Sequence, residues 1–260
     1  MKTVDIVTTQ NVTIEYELAT TGGRVGAFAI DFMIMCFALG AIGQSKFQFG
    51  LRLSPIVSWA NTKDSAKTAY VYPNGVKSGS SLGFSYGLAI NYLFADNFGL
   101  TSGLNWVVKG QNLSGQLYAA DSITTEYKQK RRLSNLEIPL ALRLRSKPIG
   151  PESLGMRVRG LAGITADINV GGKVTDSPAS PANVKYSSKW YQPAGISTLF
   201  GLGVEWNIEK VGTFDLGLSY HKGLLNQRLL KAADGNGNII NPSKFRQRYD
   251  YMSLDVSYLF

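Results

Sequence analysis

The chain is 260 residues long, 44% apolar and only 17% charged, with a formal charge of +9. Scarce charge with a mean hydropathy near zero excludes an ordinary charged globule and a multi-helix membrane protein; it suits strands whose apolar residues alternate with polar ones. A single cysteine, Cys36, excludes an intrachain disulfide framework or a cysteine-built metal centre, and cations scattered over loops and strands, with no basic helix, argue against a nucleic-acid partner.

Residues 1–43 differ from the rest and are expected to form an export segment. Within them, residues 25–42 read VGAFAIDFMIMCFALGAI, apolar except for Asp31. Ala41 and Gly43 supply small residues in the pattern that signal peptidase reads, with cleavage after Gly43. The run is also about long enough for a membrane helix, and both alternatives stand. Met35 is too bulky before Cys36 for a lipoprotein signal. The stretch VTTQNVTIEYELATTGGRVGAFAIDF, residues 7–32, resembles the start of an RDD-family inner-membrane protein. Arg24 and Asp31 fall at that family's first Arg and first Asp. The resemblance implies a fused RDD-like fragment at most, since the family's later helices have no counterpart.

From Lys46 onward the sequence alternates with period two, which sends successive side chains to opposite faces of a strand. Phe47, Phe49, Leu51 and Leu53 open the series. Similar sets follow near 82–94, 98–109, 136–145, 156–168, 200–208, 214–221 and 252–260. Their lengths exceed the roughly 5–6 residues of soluble strands and approach the roughly 9–11 of tilted membrane strands. Long connections are expected near 61–81, 112–130, 172–191 and 229–245, and short ones near 95–97, 146–153 and 209–212. Regular alternation of long and short connections is the habit of outer-membrane barrels, whose periplasmic turns are short. Phe47, Phe94, Phe98, Trp206, Phe214, Tyr258 and Phe260 lie near short turns or termini, where a lower aromatic girdle belongs. Trp59 and Tyr220 lie near the other rim. The predicted fold is all-β: an eight-stranded antiparallel transmembrane β-barrel over residues 44–260, located in the cell outer membrane. A chain ending on Phe260 at the close of a strand resembles the signal read by the barrel-assembly machinery.

Two short motifs carry a further resemblance. Residues 135–140, NLEIPL, and residues 50–55, GLRLSP, resemble segments of the PorT-like outer-membrane β-barrel family of Bacteroidetes, a similarity spanning about residues 46–260. It implies an eight-stranded outer-membrane barrel, and secretion-system components are among the partners it suggests.

A small barrel fills its lumen with side chains. Counting from the periplasmic ends places Arg52, Arg143, Arg157, Arg159, Glu205, Asp215 and Asp255 at similar depth on the inner face, where a cross-lumen ion-pair network is expected to plug the barrel. Pro139, beside Glu137, is expected to mark a bulge or kink, since proline lacks a ladder donor. His221, the only histidine, is read as a rim residue. Ser219 lies about 6–7 Å along the same face, too far for a catalytic dyad. No GxSxG, HExxH or P-loop pattern occurs, and residues 232–241, AADGNGNIIN, lack the acidic ligands of a calcium loop. No cofactor or metal is expected. The basic run TEYKQKRR, residues 125–132, is read as a loop base near a rim, with phosphate of outer-membrane lipopolysaccharide as a candidate contact. The expected role is non-catalytic, structural or accessory to secretion or assembly. The alternatives are a narrow passive channel and an outer-membrane lipid-modifying enzyme.

Overall fold

In the computed structural model, residues 2–7, 13–18, 46–63, 77–119, 122–150, 155–177, 185–186, 193–208, 211–225, 232–233, 239–240 and 246–260 are described. The apolar run at 25–42, its cleavage position and most of the RDD-like stretch lie outside them. Residues 1–45 form a unit of their own, in which Lys2–Val7 pairs antiparallel with Thr13–Leu18.

The second unit is built from eight long strands: β1 (Phe47–Lys63), β2 (Ser81–Ala95), β3 (Phe98–Ala119), β4 (Ser122–Arg145), β5 (Met156–Ser177), β6 (Ala194–Ile208), β7 (Gly212–Gly223) and β8 (Arg246–Leu259). Each pairs antiparallel with its sequence neighbours, and β8 pairs with β1, so the sheet closes. Reciprocal backbone hydrogen bonds between Phe49 and Phe260, 2.7 and 3.3 Å, finish the seam. Closure pairs the edges that an open sheet would expose. Among the described residues no helix is long and apolar enough to cross a membrane; the strands are the spanning elements.

The stagger of the barrel can be followed residue by residue. Starting at Arg157 on β5, cross-strand partners run through Glu205, Asp215, Ser257, Arg52, Gly87, Asn105 and Glu137 to Asp167, back on β5 and ten residues further along. Eight strands with a shear of ten imply a tilt of roughly 40°, from a rise of about 3.3 Å per residue and a spacing of about 4.8 Å.

Burial is inverted relative to a soluble protein. Leu51, Leu53, Leu140, Leu142, Ile164, Phe200, Leu202, Leu218 and Leu254 are exposed on the outer wall. Ser54, Asn105, Glu137, Arg143, Arg159, Asp167, Glu205 and Asp215 are buried within. The outer apolar wall suits lipid, and the inner polar wall must satisfy itself.

Two expectations about the strands are corrected. The region 112–130 is not a long loop: β3 and β4 continue as a paired hairpin to Ala119 and Ser122, so TEYKQKRR is strand and not loop base. Pro139 produces no bulge. The β3–β4 register is the same on either side of it, Ser102↔Leu140 and Asn105↔Glu137, and only the ladder rungs between are missing. The β4–β5 register shifts instead between Ser134 and Asn135, where Val170 is the extra residue on β5.

Candidate functional site

The barrel interior holds two layers of buried charge. In the lower layer, Arg143 on β4 donates from Nε and Nη2 to Glu205 Oε1 on β6, at 3.0 and 2.6 Å, and from Nη2 to Asp215 Oδ2 on β7 at 2.6 Å. Arg159 on β5 grips the same Asp215, with Nε 2.8 and 2.7 Å from the two carboxylate oxygens and Nη2 at 2.6 Å from Oδ1. Arg145 Nε stands 3.5 Å from Glu205 Oε2. Bidentate geometry suits arginine, whose planar fork matches a carboxylate.

The sequence makes space for Arg159 on the next two strands, β6 and β7. A Cβ at Gly217 would lie 2.6 Å from Arg159 Nη2 and 2.7 Å from the Leu202 carbonyl, and one at Gly203 would lie 3.1 Å from Arg159 Cζ. These two glycines form the recess into which the guanidinium packs.

The upper layer was not foreseen from the sequence. Lys109 on β3 reaches Glu137 Oε1 at 3.0 Å and Asp167 Oδ2 on β5 at 3.2 Å. Asn135 donates from Nδ2 to Asp167 Oδ2 at 2.5 Å, and its Oδ1 accepts from Asn169 Nδ2 at 3.1 Å. Tyr251 on β8 donates its hydroxyl to Glu137 Oε2 at 2.6 Å, and Lys109 Nζ lies 5.7 Å from the Tyr251 ring centre. Asn135, Glu137 and Pro139 alternate on the inner face, so NLEIPL supplies the centre of this layer. The available signal was polar residues on the inward phase of β3, β4 and β5; the partners across the lumen depend on stagger.

Of the predicted set, Arg143, Arg159, Glu205 and Asp215 come together directly. Arg52 donates to Ser257 Oγ at 3.2 Å. Asp255 accepts from Ser54 Oγ at 2.8 Å and from Ser219 Oγ. Neither Arg52 nor Asp255 makes an ion pair within 4 Å among the described residues. Arg157 also departs from expectation. Its Nη1 donates to the Asp96 carbonyl at the β2–β3 turn, 3.2 Å away, because its position near the start of β5 brings it to the barrel's periplasmic end.

His221 is corrected as well. It is not a rim residue but a buried one, stacked on Tyr251 with ring centres 4.1 Å apart and planes at 13°. Ser219, on the same face, donates to Asp255 and not to His221. Tyr251 also points inward.

Between the layers lies a polar cavity of about 20 Å³, bordered by Arg52, Glu137, His221, Tyr251 and Asp255 among others. Asn105 Oδ1, Thr165 Oγ1, His221 Nδ1 and Ser253 Oγ, all on its lining, have no protein hydrogen-bond partner. A space of that size accommodates about one water and no larger ligand. The arrangement braces the walls and fills the lumen, and it presents no nucleophile–base pair.

On the outer wall the aromatic girdle is ordered by ring contacts. Phe47 packs on Tyr92 at 4.6 Å and Phe214 on Tyr258 at 5.0 Å near the lower rim. Trp59 stacks on Tyr220 at 6.3 Å near the upper one.

A family model described as outer membrane protein beta-barrel domain matches residues 42–227. No curated protein matches the chain. Among solved structures it is similar to the attachment invasion locus protein Ail of Yersinia pestis, at 10% identity over 83% of this chain and 100% of that one, with a TM-score of 0.37. It is similar to the outer membrane protein OprG from Pseudomonas aeruginosa, at 15% identity over 83% and 97% of the two chains, with a TM-score of 0.40. Neisserial surface protein A is similar at 15% identity over 82% and 97%, with a TM-score of 0.35.

Proposed function

Because the chain belongs to the outer membrane protein β-barrel domain family, we propose that this outer-membrane β-barrel is a non-catalytic protein with a sealed lumen, serving as a structural element or as an accessory to secretion or assembly. The observation that carries this reading is the bracing of the interior by buried charge. Arg143 and Arg159 on β4 and β5 hold Glu205 and Asp215 on β6 and β7, and Lys109, Glu137 and Tyr251 tie β3, β4 and β8 together above them. Within these two layers every charge meets an opposite one, as burial in a narrow space demands. A side-chain-filled lumen leaves the outer surface and the long strand ends to do the biological work.

The PorT-like assignment belongs to this proposal. It is supported by NLEIPL, whose inward residues Asn135 and Glu137 bind Asp167, Lys109 and Tyr251. Secretion components are the protein partners it implies; barrel-assembly machinery is proposed as a partner independently of it, and residues 1–43 are proposed as the export segment.

Planar-bilayer recording of the purified full chain tests the sealed lumen. The expected trace is silent at moderate voltage, and steady openings in most insertions would overturn the reading in favour of a narrow channel.

A further inference from the structure

On the lipid-facing phase of the wall the residues follow one order on several strands. Along β4, Leu144, Leu142, Leu140, Ile138 and Leu136 give way to Ser134 and then to Arg132, Lys130 and Lys128. On β5, Ile164, Ile168 and Val170 are followed by Lys173. On β7, Leu216 and Leu218 are followed by Tyr220 and Lys222, and on β8 Leu254 and Met252 lead to Asp250 and Arg248. The cations at the ends of these series are all exposed.

The belt on β4 from Leu144 to Leu136 spans roughly 20 Å along the membrane normal at the barrel's tilt, close to the apolar height of such proteins. Arg132 therefore stands about 10 Å beyond the last leucine, at the height of lipid headgroups. This is the end with the longer connections, the outer side of an outer-membrane barrel. Asp250 is the one acid with a described side chain on this phase above the belt, and it is occupied by Asn61 Nδ2 at 2.6 Å and by the Gly223 amide at 2.9 Å.

Within this collar Arg132 and Lys173 are direct cross-strand partners on the same face. Like charges so placed repel. Neither makes an ion pair with a described residue, and Gly110, the partner of Arg132 on β3, adds no side chain beside it. Two adjacent cations at headgroup height, continuous with a lipid-facing apolar wall, are complementary to a dianion held at the membrane surface.

We propose that Arg132 and Lys173, with Lys130 next along the strand, form a docking site for a phosphate group of the phosphorylated glycolipid of the outer leaflet. The acyl chains lie along the leucine belt, and the phosphate bridges the two cations and relieves their repulsion. This inference rests on the outer-membrane location and not on the sealed lumen, so conductance would sink the latter and leave it standing.

The full chain is reconstituted in phosphatidylcholine vesicles containing bisphosphorylated lipid A, dephosphorylated lipid A or neither. Lipid A retained per barrel and the unfolding temperature are measured for wild type, R132Q/K173Q, the charge-keeping R132K/K173R, and K46Q at the opposite end. Wild type, R132K/K173R and K46Q are expected to retain the bisphosphorylated lipid and unfold at a higher temperature with it. R132Q/K173Q is expected to bind roughly twenty-five-fold more weakly, from about a fivefold contribution per cation near an anionic surface. Equal retention by R132Q/K173Q and wild type, or equal retention of dephosphorylated lipid, overturns the proposal. So does tighter binding of a soluble polysulfate than of lipid A, lost in R132Q/K173Q, which would assign the surface to an extracellular polyanion.

Discussion

Tyr251 and Glu137 stand on opposite walls of the barrel, four strands apart in either direction, and meet in the middle. The Tyr251 hydroxyl donates to Glu137 Oε2 at 2.6 Å, joining positions 114 residues apart in sequence. The bond is a strut across the diameter, and Glu137 holds Lys109 with its other oxygen.

Tyr251→Phe removes the strut while keeping the ring that stacks on His221. It leaves one oxygen of a buried carboxylate without its donor, a loss of about 1–3 kcal/mol. The urea midpoint for unfolding from detergent micelles is expected to fall by a corresponding amount, with the barrel still closed. An unchanged midpoint would show that the strut contributes nothing.

Arg143→Met takes from Glu205 its two hydrogen bonds and from Asp215 one of its two arginine partners. Removing one partner of a buried ion pair costs about 3–5 kcal/mol, whereas exchanging the whole group for apolar residues is far milder. Arg143→Met alone is therefore expected to be less stable than the combined replacement of Arg143, Arg159, Glu205 and Asp215 by apolar residues of similar volume. The electrophoretic shift between folded and heat-unfolded barrel, followed against temperature, ranks the two. The opposite ranking would mean the charges are not coupled.

Gly217→Val places a branched side chain where the Arg159 guanidinium lies. The first added carbon would already stand 2.6 Å from Nη2 and 2.7 Å from backbone, so the strand must shift. A loss of roughly 1–3 kcal/mol is typical of such overpacking. Assembly yield in the outer membrane is expected to drop, and Arg159→Ala in the same chain should recover part of it by emptying the contested space.

His221→Phe preserves stacking on Tyr251 and removes the imidazole. A filler role predicts unchanged assembly and an unchanged lipid profile by mass spectrometry of the outer membrane. A changed acylation pattern would point to catalysis at His221.

Some of this was legible in the chain. The inward placement of Arg143, Arg159, Glu205 and Asp215 follows from parity alone, because alternate side chains must face opposite ways. Parity also put Lys109, Glu137 and Asp167 inside, yet depth counted from strand ends left them outside the expected network. Arg52, Arg157 and Asp255 were grouped by the same count, and the tilt of the strands separates them. His221 looked peripheral because the alternating segment near 214–221 ends on it; β7 runs on to Gly223, and the neighbouring strands continue further and enclose it.

The sequence by itself determined the strands and which face of each meets lipid, since both follow from a period of two that each segment carries locally. Only the closed barrel decided who meets whom. The ten-residue offset accumulated around eight strands is a sum over every ladder register, so the partnership of Tyr251 with Glu137 exists in no segment and arises when the first strand bonds to the last.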